Sequence, residues 1–348
     1  MKQIAALSMV ALPGEAVAPS ERIGMGRLAI IGAFVIYLAL LAAAWWGLLK
    51  LAPDQLTLTL AGRHLTLGNI HQKLIGNAAL ISVILPAAFW IECVVVGWRE
   101  SSFRQLLFSP NASTKTDVAV FILGEAHVMS LLSKLMLLGA SMISGLWIHD
   151  WLSKTTGLDI DPSGLPLTLQ VVIYFYVYTF FDYWTHRVDH SRPFWPLHRY
   201  HHSAEEFCVV TSTRAHPAAF TAVFLISVPM AVLGASAEVM IYVNIATISL
   251  GFLIHSKIPS DFGWVGRWII QSPVHHRLHH KLDMSYATGH FGMAPIWDHL
   301  FGTWSEKADP ALAIGVSRTY RHGFWVAPDL LRDYWDFWRG FVVRNQEL

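Results

Sequence analysis

Charge is what this chain has least of. Asp, Glu, Lys and Arg make up 14% of its 348 residues, where an ordinary soluble domain carries about a quarter. A chain so poor in solvating groups is excluded from facing water on all sides. Neither sign is in excess, since the formal net charge is +1, and the basic residues sit between apolar stretches instead of forming one patch. Nucleic acid is therefore excluded as a partner. Cysteine is nearly absent: Cys93 and Cys208 stand alone, with no CxxC spacing. That removes a disulfide framework and any rubredoxin- or ferredoxin-type electron carrier built into the chain. Repeats, low-complexity tracts and linkers are lacking too, so no second domain separates from the first.

What fills the chain instead is hydrocarbon, at 54% hydrophobic residues. Leu28–Leu49 runs 22 residues without a charge, enough for a helix rising about 1.5 Å per residue to cross a core of about 30 Å. Further candidate spans are Leu74–Trp98, with Pro86 and Glu92 inside it, an overlong Val118–Ile148 containing Glu125, His127 and Lys134, and Leu165–Trp184. Pro217–Gly234 and Glu238–Ile254, joined by Ala235-Ser236-Ala237, read as a helical hairpin that returns to the side it left. Between the first two spans, "LTLTLAGRHLTLG" alternates strictly around Ala61-Gly62-Arg63 and predicts a small two-stranded turn.

Basic residues in short loops set the orientation. Lys2, Arg22 and Arg27 precede the first span and Arg99, Arg104 and Lys115 follow the second, whereas the 149–164 loop carries Asp150, Asp159 and Asp161 against Lys154. Both termini and the stretches 99–117, 185–216 and 255–348 are thereby placed in the cytoplasm, against the opposing Lys50, Arg63 and Lys73. The first twenty residues resemble a signal peptide ending at Ala16-Val17-Ala18, but Pro19 after the cut and the topology favour an uncleaved leader. In "PDLLRDYWDFWRGFVVR", Leu331, Tyr334, Trp335, Trp338, Phe341 and Val342 fall on one helical side and charges on the other, which predicts a helix lying on the membrane surface. The expected fold is an all-α integral membrane protein of about four to six transmembrane helices with a cytoplasmic helical cap. Its parts are a leader with spans over 1–164, a catalytic region over 165–310 and the interfacial helix over 311–348, within one structural domain.

Into this apolar chain 18 histidines are set, 11 of them between His186 and His280, where even scatter would leave about five. They are patterned. "HRVDH" spaces His186 and His190 at i, i+4; "HRYHH" spaces His198, His201 and His202 at i, i+3, i+4; "HRLHH" repeats this with His276, His279 and His280. Residues three and four apart share one helical face, so each motif is expected to offer its imidazoles to a single point, as short helices present metal ligands. All three motifs follow spans that end on one membrane face. Eight imidazoles exceed what one ion can take, which favours two metals; imidazole suits iron, zinc, copper or nickel equally. His64, His71, His127, His149, His299 and His322 read as interfacial or structural.

The order HxxxH, HxxHH, HxxHH, with "YWTHRVDHSRPFWPLHRYHHSAEEF", "TRAHP", "HSKIPSDFGW", "SPVHHRLHHKLD" and "WDHLFGTW", resembles the fatty acid hydroxylase/sterol desaturase superfamily of membrane di-iron oxygenases over about residues 179–304. The resemblance implies metal ligation by His186, His190, His198, His201, His202, His276, His279 and His280, with His255 as a ninth ligand; His275, expected to point elsewhere on the helix than His276 and His279, is not expected to ligate. It also implies two iron ions, O2 as co-substrate, an apolar lipid substrate (fatty acyl, sterol or hopanoid, or carotenoid-like), and electrons from a separate ferredoxin, rubredoxin or cytochrome with its reductase. Two departures stand out. His216-Pro217-Ala218-Ala219 lacks a carboxylate common after this motif, and His290-Phe291-Gly292 replaces Asn-Tyr-Gly, which makes His216 and His290 further candidate ligands. Asp182, Asp189, Glu205, Glu206, Asp283 and Asp298 are candidates to hold the ligands' outer nitrogens. The implied reaction is hydroxylation of an unactivated C–H bond; a desaturase or sterol-type methyl oxidase would use the same metals. A metal transporter or sensor is the reading of another class, and it would want polar residues along the spans, where these histidines are not.

Overall fold

The computed structural model describes residues 26–51, 53–60, 63–67, 80–136, 142–157, 162–218, 220–282, 289–306 and 309–342. The signal-peptide-like leader, His71 and Asp283 lie outside them. Among the described residues the architecture is helical, with one two-stranded hairpin. That hairpin pairs β1 (Leu56–Leu60) antiparallel with β2 (Arg63–Leu67), Leu56 opposite Leu67 and Leu60 opposite Arg63, as the alternation predicts.

Helix α1 (Arg27–Leu51) is apolar all round and largely uncovered, with Leu28 85%, Leu40 66% and Trp46 64% exposed. So much contiguous apolar surface suits hydrocarbon and not water. It docks on α2 (Leu85–Val96) through Trp90, whose indole N–H donates to the Ile30 carbonyl at 2.9 Å while its ring lies 5.1 Å from Phe34 and 5.4 Å from Tyr37. By length and composition, α1 and the later Ala237–Ile254 helix are long and apolar enough to cross a membrane.

Three expected spans take a different form. Val118–Ile148 is not one helix: after α3 (Ser102–Phe108) come α4 (Ala112–Glu125), α5 (Val128–Met136) and α6 (Met142–Thr156). His127, at φ 58°, takes the left-handed conformation that breaks the run between α4 and α5. Helix α4 starts early because Asn111 caps it, accepting from Thr114 N–H at 2.8 Å, and its first turns bury Ser113, Thr116 and Asp117 inside the protein. Pro217–Gly234 is broken into Phe220–Ala222, a π-helical Val223–Ser227 and α9 (Val228–Val232). A second π turn, Leu80–Ile84, opens onto α2. Each π turn runs straight into a proline, Pro229 or Pro86, whose missing N–H and bulky ring force the ladder of the preceding turn to widen.

The remaining frame is α7 (Leu167–Asp189), α8 (Trp195–His202), α10 (Ala237–Ile254), α11 (Gly263–Trp268), α12 (Pro273–His279), α13 (Ile296–Leu300) and α14 (Ala327–Val342). Helices α7 and α10 pack through Tyr174, Val239 and Val243, joined by Ile226 and Met230 of the broken segment. The hairpin turn closes on Gly234, at φ 75°, and on Ser236, whose side chain accepts the Val239 N–H at 3.2 Å.

Helix α14 corrects the simple amphipathic reading. Its acids do not all face solvent: Asp333 and Asp336 are buried, both bonded to the buried Arg199 of α8, with Arg199 Nη2 2.8 Å from Asp333 Oδ1, and Arg318 also reaching Asp336. Phe337 and Leu330 share that inner face, while Leu331, Trp335, Trp338 and Phe341 are exposed. The helix is thus clamped to the protein by charge and turns its apolar side outward. Removing one member of a buried pair costs about 3–5 kcal/mol, so Arg199→Ala is expected to lower the unfolding temperature and open residues 311–342 to limited proteolysis. An unchanged midpoint with an unchanged digestion pattern would refute the clamp.

Candidate metal centre

Helix ends deliver the histidines, two from α7, three from α8, one from α10 and three from α12. The last turn of α7 carries His186 and its C-cap is His190; α8 carries His198, His201 and His202; His255 caps the C-terminus of α10; α12 carries His276 and His279 and ends on His280. These nine form two groups, His186, His190, His198, His202 and His279 in one and His201, His255, His276 and His280 in the other, with potential ligand atoms within 4.8 Å of one another in each. Spacing alone pointed each HxxHH motif at one point. The structure divides both: His198 and His202, one turn apart, go to the group of five and His201 to the group of four, while His276 and His280 part from His279 in the same way.

Backbone carbonyls set the tautomers. Nδ1–H of His186 donates to Phe291 O at 2.7 Å, His279 to Gly289 O at 2.9 Å, His201 to Arg214 O at 3.0 Å and His255 to Gly251 O at 2.7 Å. Each bond leaves Nε2 with a bare lone pair. Nε2 of His186, His198, His202 and His279 is buried with no hydrogen-bond partner, and His280 has neither nitrogen engaged. In the group of four, His255 Nε2 lies 3.3 Å from His201 Nε2 and 2.9 Å from His276 Nε2. With the His201 and His255 protons on the far nitrogens, two lone pairs confront each other there. A buried acceptor without a donor costs about 1–3 kcal/mol, and a cation at the convergence point turns that cost into coordination. The donor sets fit two transition ions of the imidazole-loving kind.

Electrostatics agree. Burial, then mutual proximity, holds His198, His202, His276, His279 and His280 well below their ordinary 6.5. The rings stay neutral and able to ligate. Because the folded state binds fewer protons than the unfolded one, stability falls as pH drops below about 6.5.

His216 and His290 lie outside both groups. His216 Nε2 is 2.9 Å from Leu330 O and its Nδ1 accepts the Ala218 N–H at 3.1 Å, so it ties the neighbouring loop to α14. His290 Nε2 accepts the Ser305 N–H at 3.2 Å, and its ring packs 4.6 Å from Trp304. Its φ of 62° is left-handed, a conformation uncommon for residues with a Cβ. His275 also stands apart, bonded to Ser272 Oγ at 2.7 Å.

Of the candidate carboxylates, Asp298 is fully buried and accepts Phe291 N–H and Gly292 N–H, each at 2.9 Å, fixing the carbonyl that orients His186. Asp189 Oδ2 stands 3.9 Å from His198 Nδ1, and its other oxygen accepts Thr221 Oγ–H at 2.6 Å. Asp182 accepts the Met293 N–H. Glu206 instead bonds Gln105, Asn111 and Lys257, and Glu205 faces His322. The carbonyl partners have no sequence signal, since any residue supplies one. Gly289 is the exception: a Cβ there would meet Thr303 O at 1.9 Å, so only glycine lets this carbonyl reach His279.

A cavity of about 410 Å³ touches both groups, bordered by His186 and His198 of one and His201, His255 and His276 of the other. Two outcomes are expected from purified protein. His279→Ala loses bound metal whereas His216→Ala keeps it, measured by elemental analysis, and equal metal content in the two would refute the partition. Metal retention and the unfolding midpoint both decline as pH is lowered from about 7 to 5; a flat profile would show the imidazoles are not held neutral.

Residues 171–303 match the fatty acid hydroxylase family. The chain is 27% identical over 165 residues to alkylglycerol monooxygenase of Danio rerio, covering 44% of this chain and 36% of that protein. It is 28% identical over 169 residues to the ornithine lipid hydroxylase OlsE of Rhizobium tropici, covering 47% and 50%. The human alkylglycerol monooxygenase matches at 28% over 131 residues, covering 36% and 28%. The aligned stretch thus spans half or less of the curated relatives' length, and no solved structure matches. The two histidine groups are built from motifs inside residues 171–303, the stretch that matches the fatty acid hydroxylase family.

Proposed function

We propose that this chain is an O2-dependent, membrane-embedded di-iron oxygenase that hydroxylates an unactivated C–H bond of a lipid. The observation that carries this reading is the cavity bordered by both histidine groups and otherwise walled mainly by apolar side chains such as Leu197, Ile226, Ile254 and Met293. The nine grouped histidines would hold the ions, and two irons there would supply the oxidation of C–H to C–OH, using O2 with two electrons and two protons delivered from outside and releasing one water. The protein's own part is to place the carbon and keep the chamber dry.

A route to the chamber supports a lipid. An apolar groove of about 740 Å³ lies between α2, α7 and α10, lined by Ile91, Phe175, Tyr176, Leu250, Leu253 and Ile270. Groove and chamber share walls: Leu250 and Leu253 face the groove where Gly251 and Ile254 face the chamber, and Ile270 faces the groove beside Gln271 in the chamber. The substrate tail enters sideways from hydrocarbon through this groove, along the aromatic residues of α7. Names of the relatives favour hydroxylation over desaturation, and a lipid with a polar headgroup over a sterol. In this reading the spans number four to six, the metal centre and both termini face the cytoplasm, and a separate ferredoxin, rubredoxin or cytochrome with its reductase supplies electrons. The 1–164, 165–310 and 311–348 parts serve as anchor, catalytic region and interfacial helix.

Mass spectrometry of membrane lipids from cells grown under heavy-isotope O2, with and without the gene, tests this. One labelled oxygen added to a lipid is the expected outcome. A product lacking two hydrogens and carrying no label would replace hydroxylase by desaturase, and no lipid difference, with dissociable zinc in the protein, would leave a transporter or sensor.

A further inference from the structure

Two buried carboxylates outside residues 171–303 brace the chain beside His255 and His201 of the group of four. The first is Glu92, in the middle of α2 and fully buried. Its Oε1 accepts the Lys257 N–H at 2.7 Å and Ser102 Oγ–H at 2.8 Å, and its Oε2 accepts the Ser102 N–H at 2.6 Å. Lys257 lies two residues beyond His255, so Glu92 pins the chain at the point where α10 releases that ring. The second is Asp117 of α4, also fully buried. Its Oδ1 accepts Arg214 Nε–H at 2.6 Å and its Oδ2 accepts Thr211 Oγ–H at 2.8 Å. Arg214, itself buried, also donates to Ser113 O at 2.6 Å and to Ser203 Oγ at 3.1 Å, and its own carbonyl accepts the His201 Nδ1–H. The group of five is held otherwise. Its His186 and His279 lean on Phe291 O and Gly289 O, with Asp298 bracing the Phe291 segment, all inside residues 171–303.

We infer that Glu92 and Asp117 are positioning residues for the group of four, so that the affinities of the two metal sites are set by separate carboxylates: Glu92 and Asp117 for one, Asp298 for the other. The inference rests on the two-metal reading above. Physically, a ligand ring works only if the atom that orients it is itself held, and loss of such an outer partner weakens metal binding by about 10–100-fold. Neither carboxylate touches an imidazole. Each acts through one intermediary, Glu92 through the Lys257 amide and Asp117 through Arg214.

The test is metal titration of purified full-length protein, with elemental analysis and the absorption spectrum of the cobalt(II)-loaded form. Wild type is expected to take up two ions. Glu92→Gln and Asp117→Asn, which keep shape and an acceptor oxygen, should weaken one ion about 10–100-fold and leave the other at wild-type affinity; that retained ion also reports that the protein is folded. Adding His279→Ala to Glu92→Gln should abolish the retained ion, and adding His201→Ala should change it little. Asp298→Asn should show the reverse pattern. Loss of both ions together in Glu92→Gln and Asp117→Asn, or two ions at wild-type affinity in both, would overturn the inference while the oxygenase reading stands. Wild type binding no metal would overturn the oxygenase reading itself, and the inference with it.

Discussion

The two histidine groups depend on where four protons sit. His186, His201, His255 and His279 each give their Nδ1 proton to a main-chain carbonyl, which turns a bare Nε2 inward. Neutral nitrogens crowded together and buried are a poor bargain on their own: Nε2 of His186 and of His279 has no donor, and His201 and His255 turn theirs toward each other. A cation at each convergence point would satisfy those nitrogens. The requirement also explains the surroundings: the carbonyls must stay fixed, so the loops that carry them are tied by buried acids, and the acids need partners such as Arg214, Ser102 and Thr303.

Much of this was legible in the residues. The three motifs, their assignment to helix ends and the ninth histidine at the end of α10 follow from spacing and resemblance, because the period of a helix is visible in any string of letters. The division of each HxxHH between two points was not. A spacing of three or four says that rings share a face, yet a face spans enough arc for the first and last rings of a motif to aim at one ion and the middle ring at another. Asp117 illustrates a second limit. It sits in "STKTD", a polar run that reads as loop before an apolar span, and only its burial against Arg214 marks it as interior. Glu92 was visible as a lone charge within a span, though its partners come from segments 10 and 165 residues away.

Hydropathy gave the membrane character but misjudged continuity. Val118–Ile148 and Pro217–Gly234 have the length and oiliness of spans, but a left-handed residue at His127 and the proline at 229 override composition locally. Helix α14 shows the same limit in another form. The outward aromatic side is the one a membrane-surface helix needs; what the pattern does not show is that two acids of the charged side are buried against an arginine. Pattern locates two faces of a helix; which face meets the protein depends on what the protein offers.

Neighbouring residues on a single rigid rod serve different masters here. His201 and His202 on α8, like His279 and His280 on α12, are consecutive in the chain yet belong to opposite groups, and the rings of His202 and His280 lie flat against each other, 4.1 Å apart, where the groups meet. Both rods act as a yoke. Sliding or twisting either one would move rings of both groups at once, so the interval between the groups is tied to the pitch of two short helices, even where separate carboxylates brace each group.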